Sequence, residues 1–528
     1  MIRHARVMLA AIGAALLSAS CGQSVMSTPY PEIDPQQIRA HLDQFTAAED
    51  AGVAPGSRGE QIAVAYSKKV FTEIGLPVQT PNVPLTKIRT TRAAVTLSGA
   101  GGTRSLEEGT DIIAWSRRHE TVTSADGDLV FVGYGISTPR QGWDDYKGVD
   151  VRGKILLMLI GDPHVGQRRL HGAIGGDLFG RSRYKFEEAE RRGAAGVLLV
   201  HLDDESDEPW SELQEVAPEV LDAGSPGQFT THMPLEGWIS TEASRKLFSD
   251  ASLDFDDALA RAEESNFAAV TLPVRALVHV ESEISAIAST NVIATIPPVG
   301  KPQEYVIFST QWNNLPVGHA TGNDLTDADP SNQSPPGVSV MLEIARALSR
   351  VRTPHRGFVF LVMTAEPQGL LGLDSYLENP AYATVVTRAA IHVAGFNARG
   401  DDNRVAVVGV AYEAIKSMVR EQAAEQFRIA DNDLDLERLH FFRPARTAYT
   451  LRRIPNIFLS SGRTLDAKDA ASKPLDMSIG VLDARLMYTV GLQIATNDQW
   501  PNWTPSRTLL DYVPNAAQFE GKRPRGIR

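Results

Sequence analysis

The sequence predicts an α/β fold, in which a mostly parallel sheet flanked by helices carries an inserted small β-rich domain. After Asn291, apolar runs of strand length alternate with amphipathic helical segments, the pattern of a parallel sheet covered on both faces. Between 105 and 278 the chain instead consists of short β-rich runs separated by turns. Ligands of parallel α/β sheets bind beyond the carboxyl ends of the strands, so candidate site residues are expected there.

Hydrophobic periodicity predicts the individual elements of the main domain. The segment 337–350 places Val338 and Met341 on one face of a helix. An earlier amphipathic helix runs through Tyr66 and ends before Gly75, a residue suited to a helix C-cap. Strands are predicted at 291–296, 304–310, 357–364, 388–394, 404–409 and 455–460, and further helices at 411–427 and 479–496.

Changes in charge and in hydrophobic pattern divide the chain into segments. A basic start and an apolar run lead into a polar stretch, two parts of the main domain enclose the insert, and a basic tail follows. The predicted ranges are 1–21 for a signal peptide, 22–35 for a tether, 36–104 and 283–514 for the main domain, 105–278 for the β-rich insert and 515–528 for a disordered tail.

Composition limits the possible classes of function. The 528 residues are 43% hydrophobic and 22% charged, as expected of a globular protein of two or three domains. The formal net charge of −12 leaves no basic field for nucleic acid. We therefore expect no nucleic-acid partner.

The N-terminus predicts export. Arg3 and Arg6 precede an apolar run, 7–17, that is too short to span a bilayer as a mature helix, and small residues then lead to Cys21, the only cysteine. This arrangement resembles a bacterial lipoprotein signal, which implies lipidation of Cys21 and a membrane-anchored protein facing the periplasm or the cell exterior. Gly22 follows Cys21, so the outer membrane is the expected location in a Gram-negative cell. An ordinary signal peptide with an incidental cysteine is the alternative.

Several motifs of the main domain resemble the co-catalytic two-zinc aminopeptidases, a family that includes glutamate carboxypeptidase-like members. They are PGSRGE at 55–60, STNV at 289–292, LEIARAL at 342–348, TAE at 364–366 and GLLG at 369–372. The insert resembles a protease-associated domain, a small module of secreted peptidases. That second resemblance rests on GYG at 133–135, YKG at 146–148 and AAGV at 194–197.

The resemblance implies a site in which two cations, about 3.5–4 Å apart, share a bridging carboxylate and activate a water molecule. Zinc is held by imidazole nitrogen and carboxylate oxygen in such sites. Glu366 matches the general base of the family. The positions that match the zinc ligands hold residues unsuited to that role: Gln311, Asn313, Gln333, Pro367, Ala394 and Lys468. We therefore expect no zinc cofactor and no two-zinc chemistry, with Glu366 as a remnant of the active site.

Two alternatives stay open at this site. A rebuilt metal centre would draw on residues near the strand ends, namely His319, Asp324, Asp327, Asp329 and His392. In a site without metal, Lys468 would instead supply the positive charge beside Glu366 as an ion pair.

The sequence therefore predicts a catalytically inactive, zinc-aminopeptidase-like envelope lipoprotein that binds peptides or a protein partner. Two other functions remain. One is a secreted metallo-aminopeptidase that hydrolyses peptides through a rebuilt or unrecognised zinc site, and the other is a structural envelope lipoprotein. Metal content and peptide binding distinguish the three.

Overall fold

The computed structural model describes most of the chain between residues 31 and 497. The described residues are 31–138, 142–165, 168–169, 182–202, 209–214, 218–299, 303–313, 337–351, 355–366, 368–383, 386–393, 395–396, 404–408, 413–431, 448–449, 452, 454–461 and 475–497. The predicted signal peptide with Cys21, most of the predicted tether and the predicted tail lie outside these ranges. No helix among the described residues is long and apolar enough to cross a membrane.

Several of the helices begin at residues whose side chains cap them. Those of the described residues are α1 (Pro35–Asp50), α2 (Arg58–Glu73), α3 (Ser182–Arg191), α4 (Trp210–Leu213), α5 (Thr241–Asp250), α6 (Phe255–Ala262), α7 (Val338–Ser349), α8 (Leu371–Glu378), α9 (Glu413–Glu425) and α10 (Ser478–Thr496). The Asp34 side chain caps α1 by accepting from Gln36 N, and Ser57 caps α2 by accepting from Glu60 N. Gly75, just beyond α2, has a φ of 82°, which glycine adopts without strain.

The strands form two large sheets and two small pairs. They are β1 (Val78–Gln79), β2 (Asn82–Gly99), β3 (Gly102–Leu106), β4 (Ile112–Trp115), β5 (Val122–Phe131), β6 (Ser137–Thr138), β7 (Trp143–Asp144), β8 (Ile155–Leu159), β9 (His164–Val165), β10 (Arg168–Arg169), β11 (Gly196–His201), β12 (Glu219–Ala223), β13 (Leu235–Ser240), β14 (Val270–Thr290), β15 (Val292–Ile296), β16 (Tyr305–Gln311), β17 (Gly357–Met363), β18 (Thr387–Val393), β19 (Arg404–Val408), β20 (Ile429–Asp431) and β21 (Asn456–Ser461).

The first large sheet has eight strands in the order β1-β15-β17-β16-β18-β21-β19-β20. Its central strands β17, β16, β18 and β21 are parallel, whereas β15 joins β17, and β19 joins β21, in antiparallel pairs. The predicted α/β fold class is confirmed. The predicted strands and helices from 291 to 496 agree with the observed ones to within two residues at each end.

Both faces of this sheet are buried. On β16, Val306 and Phe308 face a core shared with α1, α2, α7 and α10. The intervening residues Tyr305 and Ile307 face a second core, which includes Leu373 of α8. A strand that is covered on both sides needs a continuous apolar run rather than an alternating one, and this explains the uniform runs of the sequence.

The second large sheet contains nine strands, in the order β12-β2-β14-β5-β8-β11-β13-β4 with β3 paired to β2. It is built from residues 82–290 and so extends beyond the predicted insert, 105–278, on both sides. The long strand β14 ends at Thr290, and β15 of the first sheet begins at Val292. The two sheets are therefore joined by continuous chain close to the candidate site. The resemblance of 105–278 to a protease-associated domain stays a prediction.

The packing of Phe308 in the core between the first sheet and its helices can be tested by mutation. Phe308 is fully buried, and its ring stacks on Phe360 with centroids 5.6 Å apart. We expect Phe308→Ala to lower the free energy of unfolding by about 3–5 kcal/mol, because it leaves a cavity between the sheet and its helices. The matched control Phe427→Ala removes a side chain that is 92% exposed and should change stability by less than about 0.5 kcal/mol. Chemical denaturation measures both, and equal effects would contradict the described burial.

Candidate functional site

The carboxyl ends of the parallel strands bring the candidate residues together. Gln311, the last residue of β16, lies opposite Met363, the last residue of β17. The described residues 364–366 and 368–371, which follow β17 and reach the first residue of α8, include Glu366 and are called the Glu366 loop. His392 lies near the end of β18, the strand on the other side of β16. This is the edge of the sheet where the sequence predicted the site.

Glu366 contacts His392. Glu366 Oε1 lies 3.3 Å from His392 Nε2, and His392 Nδ1 lies 3.2 Å from Ser309 Oγ. The imidazole is 2% exposed and stacks on Phe458 with ring centroids 4.7 Å apart. His392 is thus fixed between a hydroxyl and a carboxylate, and it holds the Glu366 side chain at the strand ends.

The backbone of the Glu366 loop is strained. Ala365 and Leu370 have left-handed conformations, with φ of 52° and 63°, although neither is glycine. Each such residue costs about 1–3 kcal/mol and persists only where its surroundings enforce it, a feature that is common at functional sites. Within the loop, Gly369 N and Leu370 N both donate to Glu366 O, at 3.1 and 2.9 Å.

Asn291 holds both ends of the Glu366 loop. Its Oδ1 accepts from Thr364 N at 3.1 Å, and its Nδ2 donates to Gly372 O at 2.7 Å. Asn291 is 1% exposed. One amide side chain therefore satisfies a backbone donor before the loop and a backbone acceptor after it, which neither Asp nor Leu could do.

A second buried contact supports the start of the loop. Ser289 Oγ donates to the Glu60 carboxylate and lies 2.6 Å from Thr364 Oγ1. The other carboxylate oxygen of Glu60 accepts from Gly56 N at 2.6 Å. The motifs at 55–60, 289–292, 364–366 and 369–372 thus converge around one loop, although they are far apart in the sequence.

The two described residues at ligand-matching positions, Gln311 and Asn313, are amides that are buried within the protein. Asn313 Nδ2 donates to Val53 O at 2.9 Å and so ties the end of β16 to the connection between α1 and α2. Gln311 is 6% exposed. Neither side chain carries the negative charge or imidazole nitrogen that zinc selects.

Unpaired polar atoms collect at this end of the sheet. Among the described residues, none is a hydrogen-bond partner of these buried atoms: Gln311 Oε1, Glu366 Oε2, Gln368 Oε1 and His392 Nε2. The approach of His392 Nε2 to Glu366 Oε1 is therefore a close contact rather than an aligned hydrogen bond. Buried polar atoms without partners are uncommon and point to a bound water, ion or ligand.

Charged groups flank the loop. Burial raises the pKa of Asp374 in α8, although the neighbouring Arg452 and Arg183 act in the opposite direction. Arg452 Nη1 lies 3.8 Å from Asp374 Oδ1. Burial also raises the pKa of Tyr449, so its hydroxyl stays protonated and remains a hydrogen-bond donor at neutral pH.

Some candidate residues lie outside the described part of the chain. They are Gln333, Pro367, Ala394 and Lys468 among the ligand-matching positions, and His319, Asp324, Asp327 and Asp329 of the rebuilt-metal alternative. The ion pair between Lys468 and Glu366 stays a prediction. Of the rebuilt-metal residues, His392 is described, and it contacts Glu366.

Sequence reasoning missed the roles of Ser309 and Asn291. A signal for Ser309 was present, because Ser309 and His392 both lie near the ends of predicted neighbouring strands. Nothing in the sequence pairs them in register, however. Asn291 was recognised only as part of a motif, and its contacts on both sides of the loop depend on the tertiary fold.

Comparison with known proteins agrees with the observed fold. The sequence profile of peptidase family M28 matches residues 291–476. The matched residues include most of the eight-stranded sheet, and over them the fold agrees with that of an M28 peptidase. An aminopeptidase from Aneurinibacillus sp. strain AM-1 is similar in structure, with 16% identity, coverage of 90% of this chain and 97% of that chain, and a TM-score of 0.50.

Two further solved structures also cover 90% of this chain. A zinc aminopeptidase from Bacillus subtilis has 16% identity, coverage of 90% and 98%, and a TM-score of 0.42. A peptidase M28 precursor from Shewanella amazonensis has 14% identity, coverage of 90% and 97%, and a TM-score of 0.43. No curated protein sequence matches the chain significantly.

The described residues of this M28-like site do not fit zinc. A zinc site needs several His, Cys, Asp or Glu side chains arranged tetrahedrally around one ion. No group of three such residues within the described ranges is arranged to hold a metal ion. Gln311 and Asn313 are neutral amides. The two side chains at this edge that zinc could use, His392 and Glu366, contact each other.

The clamp formed by Asn291 can be tested by a nearly isosteric change. Asn291→Asp keeps an acceptor for Thr364 N but replaces the donor to Gly372 O with a buried oxygen. We expect the free energy of unfolding to fall by at least about 2 kcal/mol, because an unsatisfied acceptor and a buried charge result. Asn82→Asp, at an exposed position in β2, is the control and should leave stability almost unchanged. Denaturation curves of equal midpoint for the two variants would exclude the clamp.

Proposed function

We propose that the chain is a catalytically inactive relative of the M28 zinc peptidases, which binds peptides or a protein partner at the cell envelope. The observation that carries this proposal is the state of Asn313. Its position matches a zinc ligand, yet its side chain is an amide that donates to Val53 O at 2.9 Å. A residue that ties two segments of the fold together is a structural residue rather than a metal ligand.

The contact between Glu366 and His392 supports the same conclusion. In two-metal hydrolysis, the general base takes a proton from a metal-bound water. Here, Glu366 Oε1 instead lies 3.3 Å from an imidazole nitrogen. The matched base is retained, but its neighbour is a side chain of the protein.

The unpaired polar atoms favour binding over a closed, purely structural site. Gln311 Oε1, Glu366 Oε2 and Gln368 Oε1 are acceptors at the strand ends, and the peptide group of a ligand offers N–H donors. Ligands of parallel α/β sheets occupy this edge. An amide or amine ligand would satisfy oxygens that the described residues leave unpaired.

The proposed location rests on the N-terminal sequence. A basic start, a short apolar run and small residues before Cys21 support a lipid anchor, and the absence of any other cysteine suits an oxidising compartment. We propose an exported protein that is held at the membrane through Cys21.

Metal analysis and peptide binding together test the function. We expect the purified chain, dialysed against zinc and then buffer, to retain no stoichiometric zinc and to show no chelator-sensitive cleavage of leucine p-nitroanilide. The tripeptide Leu-Gly-Gly should bind in a calorimetric titration. Glu366→Gln should weaken this binding by about tenfold, the value of one hydrogen bond to a charged group. The control Glu378→Gln changes an exposed residue of α8 and should leave the affinity unchanged.

Each alternative function has its own outcome. Two zinc ions per chain with chelator-sensitive activity would replace the proposal with a metallo-aminopeptidase whose ligands include residues outside the described ranges. No zinc and no binding of the tripeptide would favour a structural lipoprotein. Binding that is equally weakened by both glutamate changes would place the ligand away from Glu366.

A further inference from the structure

The β-rich sheet contains a buried ionic cluster centred on Asp222 of β12. Asp222 Oδ2 lies 3.0 Å from both His119 Nε2 and His232 Nε2, and Asp222 Oδ1 accepts from Arg117 Nη2 at 3.0 Å. His232 Nδ1 lies 3.0 Å from Glu190 Oε2 in α3. This set of residues, from four separate segments, is called the Asp222 cluster.

The cluster is ionised at neutral pH. Burial favours the neutral form of His232, but its contacts with Asp222 and Glu190 outweigh burial and raise the pKa of His232 to about 9. Burial also opposes the ionised form of Asp222, yet the bonds from His119 and His232 hold the pKa of Asp222 well below its usual range. His232 is therefore a cation that bridges the carboxylates of Asp222 and Glu190. Hydrogen bonds between ionised groups are stronger than those between neutral groups.

The groups that face His232 and Asp222 come from every element packed around them. Burial raises the pKa of Glu236, a neighbour in β13 whose Oε2 accepts from Trp115 Nε1 at 3.1 Å. Thr86 of β2 and the Ser225 carbonyl contact His119. The titratable and charged groups in question are Arg117, His119, Glu187, Glu190, Asp222, His232 and Glu236.

One route leads from this cluster to the Glu366 loop through β12. Adjacent residues of a strand point to opposite faces. Asp222 faces the cluster, and Leu221 packs against the small apolar group formed by Val83, Leu85, Ala365 and Leu371. Ala365 and Leu371 belong to the Glu366 loop. Among the described strands, β12 pairs only with β2 and lies at the edge of the sheet. Its side-chain contacts therefore contribute much to holding it in place.

A second route runs through α3. Glu190, near the end of this helix, contacts His232, and Arg183, near its beginning, reaches the Glu366 loop. The Arg183 guanidinium lies where a side chain of Gly369 would project, with Nη1 2.6 Å from an added Cβ. Gly369 has a φ of 106° and donates to Glu366 O. The helix thus touches the cluster at one end and the loop at the other.

We propose that the Asp222 cluster is an ionic latch, which presses β12 and α3 against the Glu366 loop and thereby keeps that strained loop in its site-forming conformation. Ala365 and Leu370 hold left-handed conformations that the loop would leave if its surroundings yielded. A buried pair that loses one partner destabilises its neighbourhood strongly. Opening the latch should therefore loosen the loop while the core strands β16 and β17 stay intact.

Hydrogen exchange of the loop amides tests the latch without any ligand. The reporters are Gly369 N, Leu370 N and Leu371 N, which donate to carbonyls within the loop. In Asp222→Asn and in His232→Gln we expect these amides to exchange at least about tenfold faster than in the wild type, a change typical of local opening. Amides of β16 and β17 should keep their wild-type rates.

Two controls separate a latch from general loss of stability. Asp128→Asn breaks the exposed contacts of Asp128 with Lys154 and Arg275 in the same sheet, and Ile239→Val trims the core of the sheet away from the loop. Neither should speed exchange at 369–371. Wild-type loop rates in His232→Gln, or the same acceleration in Ile239→Val at equal stability, would overturn the proposal.

The pH dependence follows from His232. Its folded pKa of about 9 exceeds the ordinary value of 6.5, so its contribution is complete below about 6.5 and is lost as pH rises through about 9. We expect loop exchange in the wild type, corrected for intrinsic rates and referenced to β16, to rise between pH 8 and 10. His232→Gln should show no such step. A step of the same size in His232→Gln would assign the effect to another group and contradict the latch.

Discussion

The arrangement of the site depends on one constraint, the parallel pairing of β17, β16 and β18 with both faces of the sheet buried. Parallel pairing places the carboxyl ends of the strands at one edge, and burial on both faces fixes the register, because a slip of one residue would exchange the two cores. Gln311, Glu366 and His392 meet for this reason. The contact between Glu366 and His392 is a consequence of the sheet rather than of any local motif.

The residues that hold the Glu366 loop and the residues at the ligand-matching positions have different physical roles. Asn291, Ser289 and Glu60 hold the Glu366 loop through bonds to its backbone and its first side chain, and these are scaffold contacts. Gln311 and Asn313 lie where the resemblance places zinc ligands, and their amides cannot take that role. The contacts that shape the Glu366 loop therefore come from different residues than the amides at the ligand-matching positions.

The β-rich sheet contributes to the site through packing. Its strand β12 and helix α3 both reach the Glu366 loop, one through Leu221 and the other through Arg183. Each is also tied to the Asp222 cluster. A strained loop needs external support, and in this protein the support comes from a sheet that provides none of the residues matched to catalysis.

The sequence by itself predicted six of the eight strands of the first large sheet and most of the helices beside it, because hydrophobic periodicity is a local property. The strand predicted at 304–310 is observed at 305–311, and the helix predicted at 411–427 at 413–425. It also predicted Glu366 as a matched base and Gln311 and Asn313 as ligand-matching positions, since these follow landmarks adjacent in the chain, and these assignments stay predictions. The boundaries of the β-rich sheet were less accessible, because β2 lies before the predicted insert, β14 extends beyond its end, and the two strands pair across about 190 residues.

Only the tertiary structure decided what surrounds Glu366. Its contact with His392, the bonds of Asn291 to both ends of the loop and the bond of Asn313 to Val53 all join residues from different segments. Such pairs depend on strand register and on the packing of one sheet against another, neither of which leaves a periodic signal. The sequence therefore predicted which positions match zinc ligands, and the fold decided the contacts that Gln311, Asn313 and Glu366 make.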